Sequence, residues 1–160
     1  MEPQKFFINF SLLFCWQPCS DVTSSLQLMV QLLPGTTIMA QSNIPYDIQV
    51  KVAALKRWPA VHWGTLETVV STQDHESVFS YVLWAKGRMY DKLIVIVNFG
   101  SRETTDDYVK KLDKFTVPAK GRVLLSYRGN VKRVGDIVEM GSLTVSGGEM
   151  LVIQFPPLGI

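Results

Sequence analysis

The spacing of apolar residues along the chain changes near Gly64. Before it, Ile48, Val52 and Leu55 follow one another at intervals of four and three residues, which places them on one face of a helix. Asn43 is expected to cap this helix, because its side-chain oxygen can accept from a free backbone N–H of the first turn. The pattern predicts a helix that begins just after Asn43 and packs one apolar face.

A second apolar run lies upstream, from Ser24 to Leu33, and it ends at the strong stop signal Pro34-Gly35. Its periodicity fits a helix followed by a buried strand, and it fits one continuous element equally well. Both alternatives stay open at this point.

From Gly64 onward the apolar runs become short and are separated by polar or glycine-containing turns. Seven strands are predicted, at residues 66–70, 78–84, 93–99, 122–127, 137–140, 142–145 and 150–155. The turns between them include residues 73–75, 86–88, 128–130 and 146–148. Short strands with frequent turn signals predict a mainly β fold, an antiparallel β-sandwich.

The run from residue 93 to residue 97, Leu-Ile-Val-Ile-Val, has no polar position. A continuous apolar run of this length is typical of a strand that is buried on both faces. Asn98 and Gly100 are expected to end the strand, because both residue types tolerate a positive φ angle.

Composition fits one ordinary globular domain of 160 residues, with 19% charged and 47% hydrophobic residues. The formal net charge is only +2. The densest basic cluster, residues 128–133, has three cations, fewer than a surface that follows a phosphate backbone needs. No nucleic-acid partner is therefore expected.

The N-terminal segment has two interpretations. Residues 6–16 are almost entirely apolar, which is too short for a membrane-spanning helix of about 20 residues. The length suits the apolar region of a signal peptide. Against a signal peptide, the only basic residue before the apolar run is one lysine, its charge is balanced by Glu2, and the cleavage site is poor. A signal peptide and a buried segment are therefore equally expected. Cys15 and Cys19 have no nearby histidine, so neither a zinc site nor a disulfide framework is expected.

No residue is predicted to be catalytic, to bind a cofactor or to ligate a metal. Glycoside hydrolysis needs two carboxylates that face the same bond. Asp106 and Asp107 are adjacent in sequence, but the side chains of adjacent residues point in different directions, so we expect these two in a solvated turn. His62 is expected to pack at the junction between the helix and the sandwich. His75 lies between two acids, but side chains on either side of a residue rarely converge on one ion, so no metal site is expected there. The remaining acids lie mostly in predicted turns: Asp74, Glu76, Asp91, Glu103, Asp136 and Glu149.

Aromatic residues leave one binding alternative open. Trp58, Trp63, Trp84 and Tyr127 would serve as a sugar-stacking platform if they were exposed together. Packing in the core is the more common use of such side chains.

Four segments, in order, resemble the C-terminal part of animal maltases, the α-glucosidases of glycoside hydrolase family 13. Residues 32–38 are similar to the family's Leu-Pro-Gly-Thr-Pro, which ends the last strand of its catalytic (β/α)8 barrel. Residues 52–67 are similar to its final helix. Residues 93–100 are similar to Val-Val-Leu-Asn-Phe-Gly in the closing β domain, and residues 117–126 to its Leu-Pro-Ala-Lys and Leu-Leu-Ser.

The resemblance implies three zones: an apolar segment at 1–20, the last strand and helix of the barrel at 21–62, and a C-terminal β-sandwich at 63–160. The family's catalytic acids lie on earlier barrel strands, before the position of Leu32. None is carried over, and the chain by itself is expected not to hydrolyse the α-glucosides that the full-length family acts on. A secreted or membrane-associated extracellular location is expected, and so is self-association through apolar surface that a barrel would cover.

Two other functions stay open. The heavy subunit of amino-acid transporters is a non-catalytic relative with the same barrel and sandwich. A stand-alone carbohydrate-binding sandwich would use exposed tryptophan instead.

Overall fold

The computed structural model describes residues 20–34, 36, 43–71, 77–85, 92–115 and 117–155. The N-terminal apolar segment with Cys15 and Cys19, the turns at 73–75 and 86–88, and His75 lie outside these residues. The helices are α1 (Ser20–Gln31), α2 (Tyr46–Leu55), α3 (Pro59–His62) and α4 (Tyr108–Lys111). The strands are β1 (Thr65–Ser71), β2 (Val78–Trp84), β3 (Lys92–Asn98), β4 (Thr104–Asp106), β5 (Lys120–Tyr127), β6 (Ile137–Glu139), β7 (Leu143–Val145) and β8 (Met150–Phe155).

The main sheet has six antiparallel strands in the order β1-β2-β3-β8-β5-β6. β3 and β8 lie at its centre, with Ile94 opposite Ile153. Every residue of β3 from Leu93 to Asn98 is buried, so the prediction of a strand buried on both faces is confirmed. A two-stranded sheet, β4-β7, makes the second layer, and the predicted mainly β, antiparallel sandwich is confirmed.

The small sheet and α4 cover one face of the main sheet. The apolar cluster between them joins main-sheet residues such as Ile94 and Ile153 to Tyr108, Leu112 and Val145. β4 and α4 were not predicted, because one is a polar strand of three residues and the other is a single helical turn.

Helices α1, α2 and α3 cover the opposite face. Their buried residues share one apolar cluster with alternate residues of the strands, including Val95 and Val152. The upstream run proves to be a helix as far as Gln31, followed by a turn at residues 32–34. The segment that the resemblance assigns to the last barrel strand is therefore helical in this structure. Within the described residues, no helix has the length and apolarity to cross a bilayer.

α2 presents the predicted face, since Ile48, Val52 and Leu55 are buried. The predicted cap is wrong: the residue before the helix is Pro45, and no side chain caps it. The Asn43 amide instead donates to Ser24 Oγ at 3.1 Å, because Asn43 lies two residues too early to reach the first turn.

β3 ends for a different reason from the one predicted. The positive φ angles found in the described residues are at Arg128, Gly135 and Gly148, not at Asn98 or Gly100. The Asn98 amide closes the turn instead, accepting from Gly100 N at 2.9 Å and donating to Val145 O at 3.2 Å. Gly100 is needed for space, because a Cβ there would lie 2.9 Å from the Ser77 side chain.

Candidate functional site

Glu149 carries the one buried carboxylate of the described residues, with a side chain only 1% exposed. Oε2 accepts from Ser146 N at 2.8 Å, and Oε1 accepts from Ser126 Oγ at 3.2 Å. Lys132 Nζ lies 3.7 Å from Oε2. A Cβ on Gly129 would collide with Oε1, so glycine is what allows the 128–136 loop to lie over this carboxylate.

The carboxylate of Glu149 is therefore occupied by groups of its own chain. Donors surround both oxygens, and the side chain is closed off from solvent. This arrangement stabilises the junction of β5, β8 and the loop between β5 and β6. The prediction that Glu149 is simply a turn acid missed its burial, because no pattern in Gly-Gly-Glu separates a solvated turn from a covered one.

Asp106 and Asp107 point apart, as predicted, but Asp106 is not in a solvated turn. It lies in β4 with a side chain 11% exposed, and it forms an ion pair with Lys111 of α4. Asp107 is exposed and caps α4, its Oδ1 accepting from Lys110 N at 3.0 Å. The error follows from missing β4, which pairs with β7 and draws Asp106 into the structure.

Tyr108 lies fully buried beside this ion pair. Burial raises the pKa of the Tyr108 phenol far above its usual range, and the negative charge of Asp106 adds to the rise in pKa. The phenol is therefore a neutral group at physiological pH.

His62 does not pack in the junction as predicted. It is exposed at the end of α3, while its neighbours Ala60 and Val61 are buried. A helical turn rotates successive side chains by about 100°, so Val61 takes the inward position instead. Within the described residues, no three histidine, cysteine or acidic side chains converge as a metal site would require.

The aromatic residues do not assemble into a platform. Tyr127 is buried, and Trp58 packs against the apolar cluster that helices α1 to α3 share with the main sheet. Trp84 is half-buried, with Lys92 Nζ 6.0 Å from its ring. Trp63, 54% exposed, is the tryptophan of the described residues that solvent reaches most.

Lys56 has a structural role that no pattern in the sequence indicates. Its Nζ donates to Thr36 O and, at 2.7 Å, to Thr36 Oγ1. The Thr36 hydroxyl in turn donates to Gln31 O and Leu33 O, at the end of α1. Burial lowers the pKa of Lys56. The ammonium thus joins the end of α2 to the Leu-Pro-Gly-Thr segment, where a cation also complements the α1 dipole.

No family model matches the chain, and a search of curated proteins gives no match. Among solved structures, the chain is similar to the trehalulose synthase MutB from Pseudomonas mesoacidophila MX-45, with 13% identity and a TM-score of 0.49 over 68% of this chain. A MutB mutant with the substrate sucrose gives the same values, and an inactive double mutant with isomaltulose gives 15% and 0.47. The chain spans 17% of the length of these enzymes. At this level the likeness carries no conclusion about activity.

Proposed function

We propose that this chain is the closing β domain of a glycoside hydrolase of the α-amylase superfamily, of the maltase type, together with the helices that end its barrel. The order of the four maltase-like segments supports this, together with their positions in the fold. The first directly follows α1, and the second runs from the last turn of α2 through α3 into β1. The third is the central strand β3, and the fourth leads into β5.

The packing supports a bracing role for this unit. Helices α1 to α3 share one apolar cluster with the sheet. Lys56 links the end of α2 to Thr36, and Tyr81 OH donates to Met29 O of α1 at 2.7 Å. A barrel attached through these helices would be connected rigidly to the sandwich.

The proposal includes the absence of catalysis by this chain alone. The carboxylates of Asp106, Asp107, Asp136 and Glu149 are each engaged by this chain's own backbone or cations. Incubation of the purified chain with maltose and with a chromogenic α-glucoside should release no glucose or chromophore above a buffer blank. A functional maltase serves as the positive control, and release by the chain in proportion to its concentration would refute the proposal.

The exposure of Trp63 supports a second candidate function, a carbohydrate-binding sandwich. Sugar rings stack on exposed indoles, and binding would change the fluorescence of Trp63. Titration of the chain with maltose or soluble starch tests this against the first proposal, with Trp63→Ala as the matched variant. A saturable change that Trp63→Ala abolishes would favour carbohydrate binding, and a flat titration would exclude it.

We also propose that the chain self-associates when it is isolated, through the outer face of α2. The face first expected to lose cover, with Ile48, Val52 and Leu55, is buried on the sheet. Tyr46 and Val50, four residues apart on the opposite side, are 81% and 49% exposed. The double variant Tyr46→Ser, Val50→Ser should elute later than the unaltered chain in sizing chromatography. A monodisperse monomer of the unaltered chain would contradict this.

An extracellular location, secreted or membrane-associated, is part of the same proposal and rests on the maltase resemblance. Expression in a secreting cell and mass analysis of the product test it. Recovery of the chain from the cytosol alone, with its N-terminus intact, would count against it.

A further inference from the structure

Exposed aliphatic side chains lie close together in sequence at the β6 edge of the main sheet. Val131, Val134 and Ile137 are 78%, 50% and 57% exposed, and they are three of the six large apolar side chains exposed in the described residues. All three lie within seven positions, in the loop between β5 and β6 and at the start of β6. Exposed apolar residues that cluster in this way indicate an interaction surface.

Arginines lie beside these aliphatic groups. Arg122 of β5 is directly opposite Ile137 of β6, and opposite residues of antiparallel strands point to the same face. Gly135 N donates to Val123 O at 2.8 Å, so the turn that carries Val134 folds back onto β5 beside Arg122. We call Arg122, Val131, Arg133, Val134 and Ile137 the β6 patch.

The loop that carries the β6 patch is held in one conformation. Val123 N donates to Asp136 O at 2.9 Å, Asp136 N to Arg133 O at 3.1 Å, and Arg133 N to Asp136 Oδ2 at 2.8 Å. Gly135 supplies the positive φ of 95° that the turn requires. At its base, Lys132 is anchored by the buried carboxylate of Glu149. A surface fixed in this way loses little conformational entropy on binding.

The charge of the patch selects an anionic occupant. Arg122, Arg128 and Arg133 are exposed in and around it, against two exposed carboxylates, Asp136 and Glu139. Lys120 and Glu139 pair with each other, as do Lys132 and Glu149. A dimer formed through this patch would bring two cationic patches together around a two-fold axis. Repulsion between the like charges would oppose such a dimer.

The side chains themselves favour a lipid surface over a protein. Protein interfaces depend mostly on tryptophan, tyrosine and arginine anchors in complementary pockets, with valine under-represented. The β6 patch has three β-branched aliphatic residues and no aromatic one. Apolar side chains enter the boundary between headgroups and acyl chains, while guanidinium groups bind phosphates above it.

We propose that the β6 patch docks the chain on an anionic lipid bilayer, with Val131, Val134 and Ile137 entering the headgroup boundary. Each arginine near an anionic membrane strengthens binding about fivefold at low salt. Attachment through so few groups is reversible and weakens when salt screens the arginines. The inference does not depend on the proposed glycoside hydrolase relation.

Co-sedimentation of the full chain with vesicles tests this proposal. Vesicles of phosphatidylcholine with about a third phosphatidylserine should retain at least about tenfold more chain than phosphatidylcholine alone, as expected for two or more arginines at about fivefold each. Raising the salt concentration to roughly 0.5 M should release the chain from the vesicles, because the Debye length then falls well below its value of about 10 Å at 0.1 M. Equal retention on both vesicles, or none on either, would overturn the proposal.

Three variants separate the causes. Val131→Ser, Val134→Ser, Ile137→Ser removes the aliphatic groups, and Arg122→Gln, Arg133→Gln removes two cations. Each should abolish retention while leaving the thermal unfolding midpoint unchanged, since all five side chains are exposed. The matched control, Arg57→Gln, Arg102→Gln, removes two exposed cations elsewhere on the chain and should still bind.

Two further outcomes would assign the patch to a competing occupant, and either would overturn the proposal. One is equal binding of the triple serine variant and the unaltered chain to heparin beads and to anionic vesicles, which would make the patch a simple polyanion site. The other is a dimer in sizing chromatography that only the triple serine variant abolishes, in the absence of vesicle binding, which would assign the patch to a second copy.

Discussion

A carboxylate such as that of Glu149 can be buried only if donors replace the water it loses. Ser146 N, Ser126 Oγ and Lys132 Nζ supply them, and each belongs to a segment that meets β8. Breaking a buried ion pair by removal of one partner is strongly destabilising, since the other charge stays buried without compensation. The Lys132 side chain is 13% exposed, so it would be left in that position.

Glu149→Ala is therefore expected to lower the free energy of unfolding by about 3 kcal/mol. The matched control is Glu139→Ala, which removes an ion pair with Lys120 whose side chains are 60% and 65% exposed. Such surface pairs contribute less than about 1 kcal/mol. Urea denaturation of both variants measures the difference. Similar losses in the two would show that Glu149 is not the buried hub described above.

At the scale of elements, α1 is attached to the sheet by a few directed contacts as well as by apolar packing. Tyr81 OH of β2 donates to Met29 O, and Ser25 Oγ of α1 donates to Gly148 O before β8 at 3.1 Å. Both contacts fix the helix along its axis, which apolar packing alone does not. A change at either contact should loosen α1 before it affects β3 or β8.

Tyr81→Phe removes one donor, while Met29 O still accepts from Leu32 N at 3.2 Å, so the expected cost is that of a single hydrogen bond, about 1 kcal/mol. Hydrogen exchange should quicken in α1 more than in β3. Tyr46→Phe is the matched control, because its side chain is 81% exposed, and it should change neither quantity. Equal acceleration across all strands would show that the hydrogen bond acts on the whole fold instead.

Elements with strong periodic signals are those that the sequence predicts. β2 and β8 match their predicted bounds, and α2 presents its predicted face, because long apolar runs leave few alternatives. β4 and α4 are short and mostly polar, so only contacts distant in the chain define them. The same limit applies to the site, because the burial of Glu149 depends on a loop that Gly129 allows to lie over it.

At the scale of the whole molecule, each face of the main sheet holds one tyrosine whose phenol pKa is raised by burial. Tyr81 lies under the helices and Tyr108 under the small sheet. Burial raises the pKa of both phenols far above the usual value of 10.0. The folded chain thus keeps two protons that the unfolded chain releases above about pH 10.

Because the unfolded state binds fewer protons there, stability should fall as pH rises beyond 10. Two groups give a slope of roughly 2.7 kcal/mol per pH unit. The lowered pKa of Lys56 acts in the opposite direction, since the folded chain releases that proton first. Urea unfolding at pH 9, 10 and 11 checks the slope. Tyr81→Phe, Tyr108→Phe should flatten it, and an unchanged slope in that variant would assign alkaline unfolding to other groups.

The position of β8 has a consequence for how the chain folds as it is made. β8 is the last of these strands to leave the ribosome, yet it lies between β3 and β5. At about 5–20 residues per second, the 16 residues from the end of β6 at Glu139 to Phe155 take roughly one to three seconds to synthesise. During that interval two half-sheets, β1-β2-β3 and β5-β6, wait with apolar edges that have no neighbour. Nascent chains are therefore exposed to edge-to-edge association in a way that the finished fold is not, and a chaperone that covers strand edges would act on this protein mainly during translation.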